Sequence, residues 1–539
     1  MKKILSLLIL LASIFGCSED FLNRYPTTSM VVENFYKTPE DATQALVSVY
    51  NMNLRENWWS SYYMSESASD NCAGGAGSGD GGGYQRWDRG LEWPDANANQ
   101  SPWSVYFGAI FRANVYLENE GLIDWTGKEA LRIQYQAEAR FLRAYFHFYL
   151  TRLFGEIPAL PRTLAPDETP GKTPAEELYA FMIEDLEFCV QNGLQPNYDN
   201  MDPADWGRIT KWTAEAMIAR VYLFYSGYYN DPTIEDFTAE MARDYIEDVI
   251  ANSGHALVPE YASLWCVPTI SVLGDMSHYA GEENREVVWA IRYERSGNPY
   301  EGFHRMHGPR YSTSIDPYGR GWGAIPVLPS FWNAYEAGDK RKTATILSWE
   351  DEGLTYDPAP NSQAQFTGYH PKKYELVSVG GQVDVSDFQK DGYEDFMIIR
   401  YADVLLMGAE LQLITGGSVS TALTYFNKVR ERAFGDATHN YTSLTVDDIL
   451  KERRFELACE GLRYFDILRS CKGDFSKLVP ILTYIDDTDG GDYSQTADVN
   501  SLDVDGNNFV PTKGLFQIPQ NEIDLMLGAI EQNAGYTSN

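Results

Sequence analysis

Apolar positions recur every three and four residues over long stretches of the chain. The sharpest stretch is 129–153, where Ala137, Phe141, Ala144, Tyr145 and Phe148 fall on one helical face. It stops at Phe154-Gly155, with Pro158 beyond. The same spacing predicts helices at about 39–54, 102–121, 174–191, 211–227, 238–251, 397–414, 418–434 and 446–470, with a short one near 520–528. Thr38-Pro39-Glu40-Asp41 marks the first start: a capping residue, proline at the first position, acids in the first turn. The pattern fails twice. Residues 65–100, with GAGSGDGGG at 75–83, read as a long loop. Residues 254–395 are rich in Gly, Pro and aromatics and predict only short ordered pieces. Long loops in compact folds are usually functional or unstructured. Paired helices joined by short turns, without a fixed period, predict a mainly α helical-repeat scaffold carrying large irregular insertions.

The N-terminus follows a different pattern. Two lysines precede an apolar run from Ile4 to Phe15 that ends in Gly16-Cys17, the layout of a secretory signal. The run is too short to span a bilayer comfortably. Its Ser-Ile-Phe-Gly-Cys ending resembles a bacterial lipobox, which implies cleavage before Cys17 and a lipid on that cysteine. The alternative is an ordinary signal peptide with an incidental cysteine. Ser18-Glu19-Asp20 resembles the acidic export signal of Bacteroidetes surface lipoproteins. The expected division is a signal peptide at 1–16, a tether and strap at 17–38, and one domain at 39–539.

Composition narrows the function. The net charge of −34 would repel phosphate backbones, which argues against nucleic acid. Aromatics make up 14% of residues, with 36 Tyr and 13 Trp, enough for some rings to face outward as stacking surfaces. Apart from Cys17, the cysteines Cys72, Cys189, Cys266, Cys459 and Cys471 are odd in number and widely spaced. No disulfide framework or zinc pattern is expected. Cys459 and Cys471 read as small buried hydrophobes.

Several short motifs bear on chemistry. Gly77–Gly82 fits G-x-G-x-x-G without a strand before it and reads as loop. His304 and His307 are three apart with no zinc signature around them. Asp486, Asp487, Asp489 and Asp492 could hold Ca²⁺, though a solvated turn is preferred because the terminal Glu of a calcium loop is missing. No cofactor is expected. Arg453, Arg454, Glu456 and Glu460 have spacings that allow ion pairs along one helix, as do Asp466 and Arg469. Arg140 and Arg143 flank an aromatic stripe, and all of these read as scaffold.

Three segments together resemble the SusD/RagB family: AEARFLRAYFHFYLTRLFGEIPAL at 137–160, MIIRYADVLLMGAELQL at 397–413 followed by FNKVRERA, and ERRFELACEGLRYFDILR at 452–469. A weaker fourth is VLPSFWNAYEAGDKRK at 327–342. Cys459 and Met407-Gly408 depart from the usual residues at those places. The resemblance implies a cell-surface, lipid-anchored outer-membrane protein that binds glycans or other nutrients and has no catalytic residues. It implies a SusC-like TonB-dependent barrel as partner, with a TPR-like scaffold at about 39–54, 102–251 and 397–470. Ligand-face insertions are then expected at about 55–101 and 254–395.

Sugar recognition needs ring faces and in-plane polar groups on loops held by a rigid frame. Residues 58–103 and 293–322 carry that mix. Trp87, Trp93, Tyr311, Tyr318 and Trp322 are the expected platforms, and Asn71 and Arg310 the expected polar contacts. Packing of these rings beneath the loops is the alternative. A surface-tethered glycoside hydrolase and a non-binding structural lid remain the other functional readings.

Overall fold

Thr38 opens the first helix. Its hydroxyl accepts the Asp41 N–H, Asp41 returns a bond to the Thr38 N–H at 2.8 Å, and Pro39 pre-sets the backbone, so α1 runs Pro39–Tyr50. A computed structural model describes residues 35–52, 61–77, 83–93, 95–293, 304–310, 314–354, 365–389, 391–485 and 502–537. The expected signal peptide, Cys17 and the acids at 486–492 lie outside the described residues, as do Tyr311 and residues 78–82.

The other long helices are α2 (Gln100–Asn119), α3 (Glu129–Phe154), α4 (Ala175–Asn192), α5 (Lys211–Tyr228), α6 (Ala239–Asn252), α7 (Tyr401–Ile414), α8 (Val419–Phe434), α9 (Val446–Glu456) and α10 (Arg463–Ser470). Capping boxes at Thr210 and Thr445 start α5 and α9 as Thr38 starts α1. Gly155 ends α3 at φ 73°, where a Cβ would come within 2.7 Å of Leu515. From α1 to α8 each helix packs on its successor, and α10 folds back onto α5. That is the mainly α, TPR-like scaffold expected from sequence. Among the described residues no helix is long and apolar enough to cross a membrane.

Two helix predictions need correction. Residues 396–400 are a strand: β1 (Val287–Ile291) pairs antiparallel with β2 (Phe396–Arg400), every residue of which is buried. Met397-Ile398-Ile399 is short, apolar and partly β-branched, and such a run fits a buried strand as well as a helical turn. The second correction is 446–470, which is two helices. The chain turns at 457–462, with Cys459 at φ 59° and Gly461 at φ 75°. A Cβ on Gly461 would sit 3.1 Å from the Tyr62 ring, so this corner and the loop face are fitted to each other.

The expected ion pairs along 453–460 also differ. These four side chains reach other elements instead. Arg453 pairs with Asp466 at 2.8 Å and with Asp403, and Arg454 pairs with Asp70 at 3.1 Å. Glu460 takes Lys373 at 2.7 Å and Arg400 at 2.8 Å. Glu456 receives Arg341 at 3.1 Å, Arg400 at 3.0 Å and Arg432. Arg432 and Arg400 both bond Glu286, each at 2.6 Å. The result is one buried ionic lattice joining β2, α8, α9 and the insertion. Asp466 and Arg469 do pair locally, at 2.8 Å. Arg140 and Arg143 both reach Asp185 on α4, at 3.5 and 2.7 Å. All five described cysteines are buried thiols, as expected for Cys459 and Cys471.

Candidate functional site

The first aromatic-rich stretch is fastened by backbone hydrogen bonds to residues 323–328, which directly follow the second. Ala73 N–H donates to Pro326 O at 2.9 Å, Gly75 to Ala324 at 2.8 Å, Ala76 to Gly323 at 2.6 Å, and Leu328 to Asn71 at 2.9 Å. A second layer follows, with Trp322 donating to Arg305 at 2.6 Å and Ala324 to Met306 at 3.0 Å. The glycines serve close packing here. A Cβ on Gly75 would lie 2.0 Å from Gly323 O, and one on Gly74 would lie 2.2 Å from the Tyr84 carbonyl carbon. Residues 73–77 are therefore buried structure, where the sequence pattern predicts a long loop.

The assembly is anchored to the helical frame. Arg463 holds Asp70 in a two-bond fork at 2.7 and 2.9 Å. Arg454 donates to Asn71 Oδ1 and to Asp70 O, both at 2.8 Å. The Tyr62 hydroxyl bonds His307 Nε2 at 2.9 Å and Cys459 O at 3.0 Å.

The expected site residues divide into walls and rims. Asn71, at 0% exposure, is a fastening to α9 in this structure. Trp87 is 2% exposed. Its Nε1–H donates to Asn99 Oδ1 at 3.2 Å, and its ring meets Tyr84 and Trp93 edgewise at 5.5 and 5.7 Å. The space left between Trp87, Trp93, Phe509 and Phe516 is about 10 Å³, too little for more than one water. Tyr318 is 3% exposed, its hydroxyl donates to Glu352, and Lys372 stands 5.4 Å from its ring. Rings enclosed this way offer no open face. Trp93, Trp322 and Arg310 are half-buried. One face of Trp322 carries the Arg305 guanidinium at 4.5 Å.

The sequence reading missed several neighbours. Arg305 stacks on Trp322, and half-buried Arg320 lies 4.0 Å from the Phe388 ring. His304 and His307, considered from sequence only as metal ligands, bond Glu394 O at 2.7 Å and Tyr62. Separately, a concavity of about 300 Å³ opens between α1, α3 and β1, walled by Tyr50, Tyr135, Trp206 and Trp289 over the Arg208–Glu138 pair. Lone aromatics scattered over 240 residues gave no signal for it.

Acidic groups near the insertion titrate high. Burial pushes Glu394 up to about 8 and Glu282 and Asp88 up to about 7. Free carboxyls ionise near pH 4, so between about pH 5 and 8 the unfolded chain has shed protons that the folded one keeps. Stability should therefore fall as pH rises through that window. Buried His147 and His255, lowered to about 3 and about 4 chiefly by burial, oppose the trend only below about pH 6.5, where the unfolded imidazoles gain protons. Thermal melts should give a lower Tm at pH 8 than at pH 6.5. A flat or rising profile would remove these carboxyls from the account.

The family model described as "SusD family" matches residues 345–536. The model described as "Starch-binding associating with outer membrane" matches residues 20–223. A SusD-like protein of Bacteroides ovatus is 27% identical over 501 residues, covering 87% of this chain and 82% of that protein. Surface glycan-binding protein A from Bacteroides fluxus superposes with a TM-score of 0.72 at 24% identity, covering 93% of this chain and 100% of that one. Its counterpart from Bacteroides thetaiotaomicron, in complex with laminarihexaose, superposes with a TM-score of 0.70 at 22% identity over the same shares. The last two likenesses establish a common fold. With one family model on each half and a SusD-like relative aligned along most of its length, the chain belongs to the SusD/RagB family.

Proposed function

We propose that this chain is a glycan-binding lipoprotein, held to the outer membrane by lipid on Cys17. In this reading it faces outward, captures oligosaccharide and passes it to a SusC-like TonB-dependent barrel. The carrying observation is the fastening of residues 71–76 to residues 323–328, and of residues 322–324 to residues 305–308, against a stiff helical frame, with Trp93, Trp322 and Arg310 half-buried beside these ties. Indole and guanidinium groups that keep part of their surface open match the two faces of a sugar, its apolar ring plane and its hydroxyl edge. The laminarihexaose held by the similarly folded protein from B. thetaiotaomicron supports a glycan as the ligand class. The chain binds, and cleavage is left to other proteins.

Titration calorimetry of the purified full chain against a glycan panel, with laminarihexaose and starch fragments included, tests this reading. Saturable heat with no new reducing ends is the expected result. Release of reducing ends would replace the binder with a hydrolase. Silence across the whole panel would leave only a structural lid.

A further inference from the structure

Glu66, Cys72 and Cys459 come from three separate places: the short helix Ser61–Ser67, the strap of residues 68–77 after it, and the corner between α9 and α10. One Glu66 carboxylate oxygen and the two sulfurs nevertheless lie within 4.8 Å of one another, and all three residues are buried. Two further features mark this cluster. Glu66 Oε1 accepts the Gly461 N–H at 2.6 Å, but among the described residues Oε2 meets only the Cys72 thiol, at 4.0 Å. A carboxylate can accept about four bonds, so this one is poorly satisfied for a fully buried group. Cys459 is also held at φ 59°, a left-handed conformation uncommon for a residue with a Cβ.

We propose that Glu66, Cys72 and Cys459 form a buried binding site for a thiophilic divalent cation of the Zn²⁺ class. Two thiolates and one carboxylate are a donor set for borderline-soft metals. Ca²⁺ and Mg²⁺ instead demand six or more oxygens. Three protein donors leave one position of a four-coordinate ion for water. The summed charge of three anionic donors and a divalent ion is −1. The buried Lys373 ammonium stands in the same corner, bonded to Ala458 O and Glu460 Oε1, each at 2.7 Å. Because the donors are enclosed, the ion enters during folding and releases the thiol protons as it binds. Its effect is mechanical: it ties the strap at Cys72, which bridges to Val327, to the scaffold corner at Cys459.

The test is metal analysis of the purified full chain, as isolated and after refolding with Zn²⁺ followed by removal of unbound ion. The expected content is close to one ion per chain. Refolding with Co²⁺ should produce a thiolate-to-metal charge-transfer band. That band should be lost in Cys72→Ser and in Cys459→Ser, and be unchanged in Cys189→Ser, whose sulfur is buried elsewhere. Glu66→Gln should weaken Zn²⁺ binding by about tenfold or more. If the serine variants fail to fold, the metal content and Co²⁺ band of the unmodified chain decide alone. Substoichiometric metal in both preparations would overturn the proposal. So would an intact mass two hydrogens short, with Cys72 and Cys459 recovered in one linked peptide.

Discussion

Replacing Glu456 by alanine is expected to unfold this protein or bring it to the edge of unfolding. Oε1 receives Arg400 at 3.0 Å and also Arg432, while Oε2 receives Arg341 at 3.1 Å. Glu456, Arg400 and Arg341 all have fully buried side chains. Removing the one carboxylate that Arg341, Arg400 and Arg432 share leaves positive charge in excess where water cannot reach it, even though Glu286 stays on Arg400 and Arg432 and Asp339 stays on Arg341. Breaking a single buried pair from one side costs about 3–5 kcal/mol, and native domains hold only about 5–15 kcal/mol in total. Burial alone would raise the Glu456 carboxyl, but Arg432, Arg400 and Arg341 outweigh it and hold the group far below the usual carboxylate range. With the folded value depressed, its contribution is complete above the unfolded value of about 4.3 and drains away as pH falls beneath it. Glu456→Ala should thus show a urea midpoint far below that of the parent at pH 7, and the gap should narrow towards pH 2. Glu168→Ala, which breaks the solvent-exposed pair with Arg162, should leave the midpoint where it was. Equal midpoints for Glu456→Ala and the parent would show the lattice to be energetically idle.

The second large effect separates two tryptophans. Trp322→Ala is expected to weaken glycan binding about tenfold or more, because losing a stacking ring costs about 1–3 kcal/mol in comparable base–aromatic contacts. Its melting temperature should fall less than that of Trp87→Ala, since the ring is only half-buried. Trp87→Ala should do the reverse. It empties a filled core position, at about 3–5 kcal/mol of stability, and should alter affinity only through loss of folded protein. Calorimetry paired with thermal melts reads both quantities. Unaltered affinity in Trp322→Ala would remove that ring from the site.

The helical frame was readable because its signals are local. Caps such as Thr38 and the three-four spacing of 129–153 depend on neighbours within a turn or two. The failures all involve distance along the chain. Whether Met397-Ile398-Ile399 forms a strand depends on β1, more than a hundred residues earlier. The corner at 457–462 depends on Tyr62, against which Gly461 packs. Glu456 has an arginine three residues before it, yet its partners are Arg341, Arg400 and Arg432. Burial is equally non-local. Nothing near Trp87 reveals that Phe509 and Phe516 close over it, and nothing near Asn71 reveals Arg454. Composition could therefore place the candidate face on two stretches without distinguishing its walls from its rims.

The grip of two arginines on Asp70 has one more consequence. Arg463 and Arg454 fix the root of the strap before any guest arrives, so that part of the face has little freedom left to lose on capture. Preorganisation of this kind lowers the entropic toll of association. Swapping rim side chains could then retune selectivity while the framework beneath stays the same.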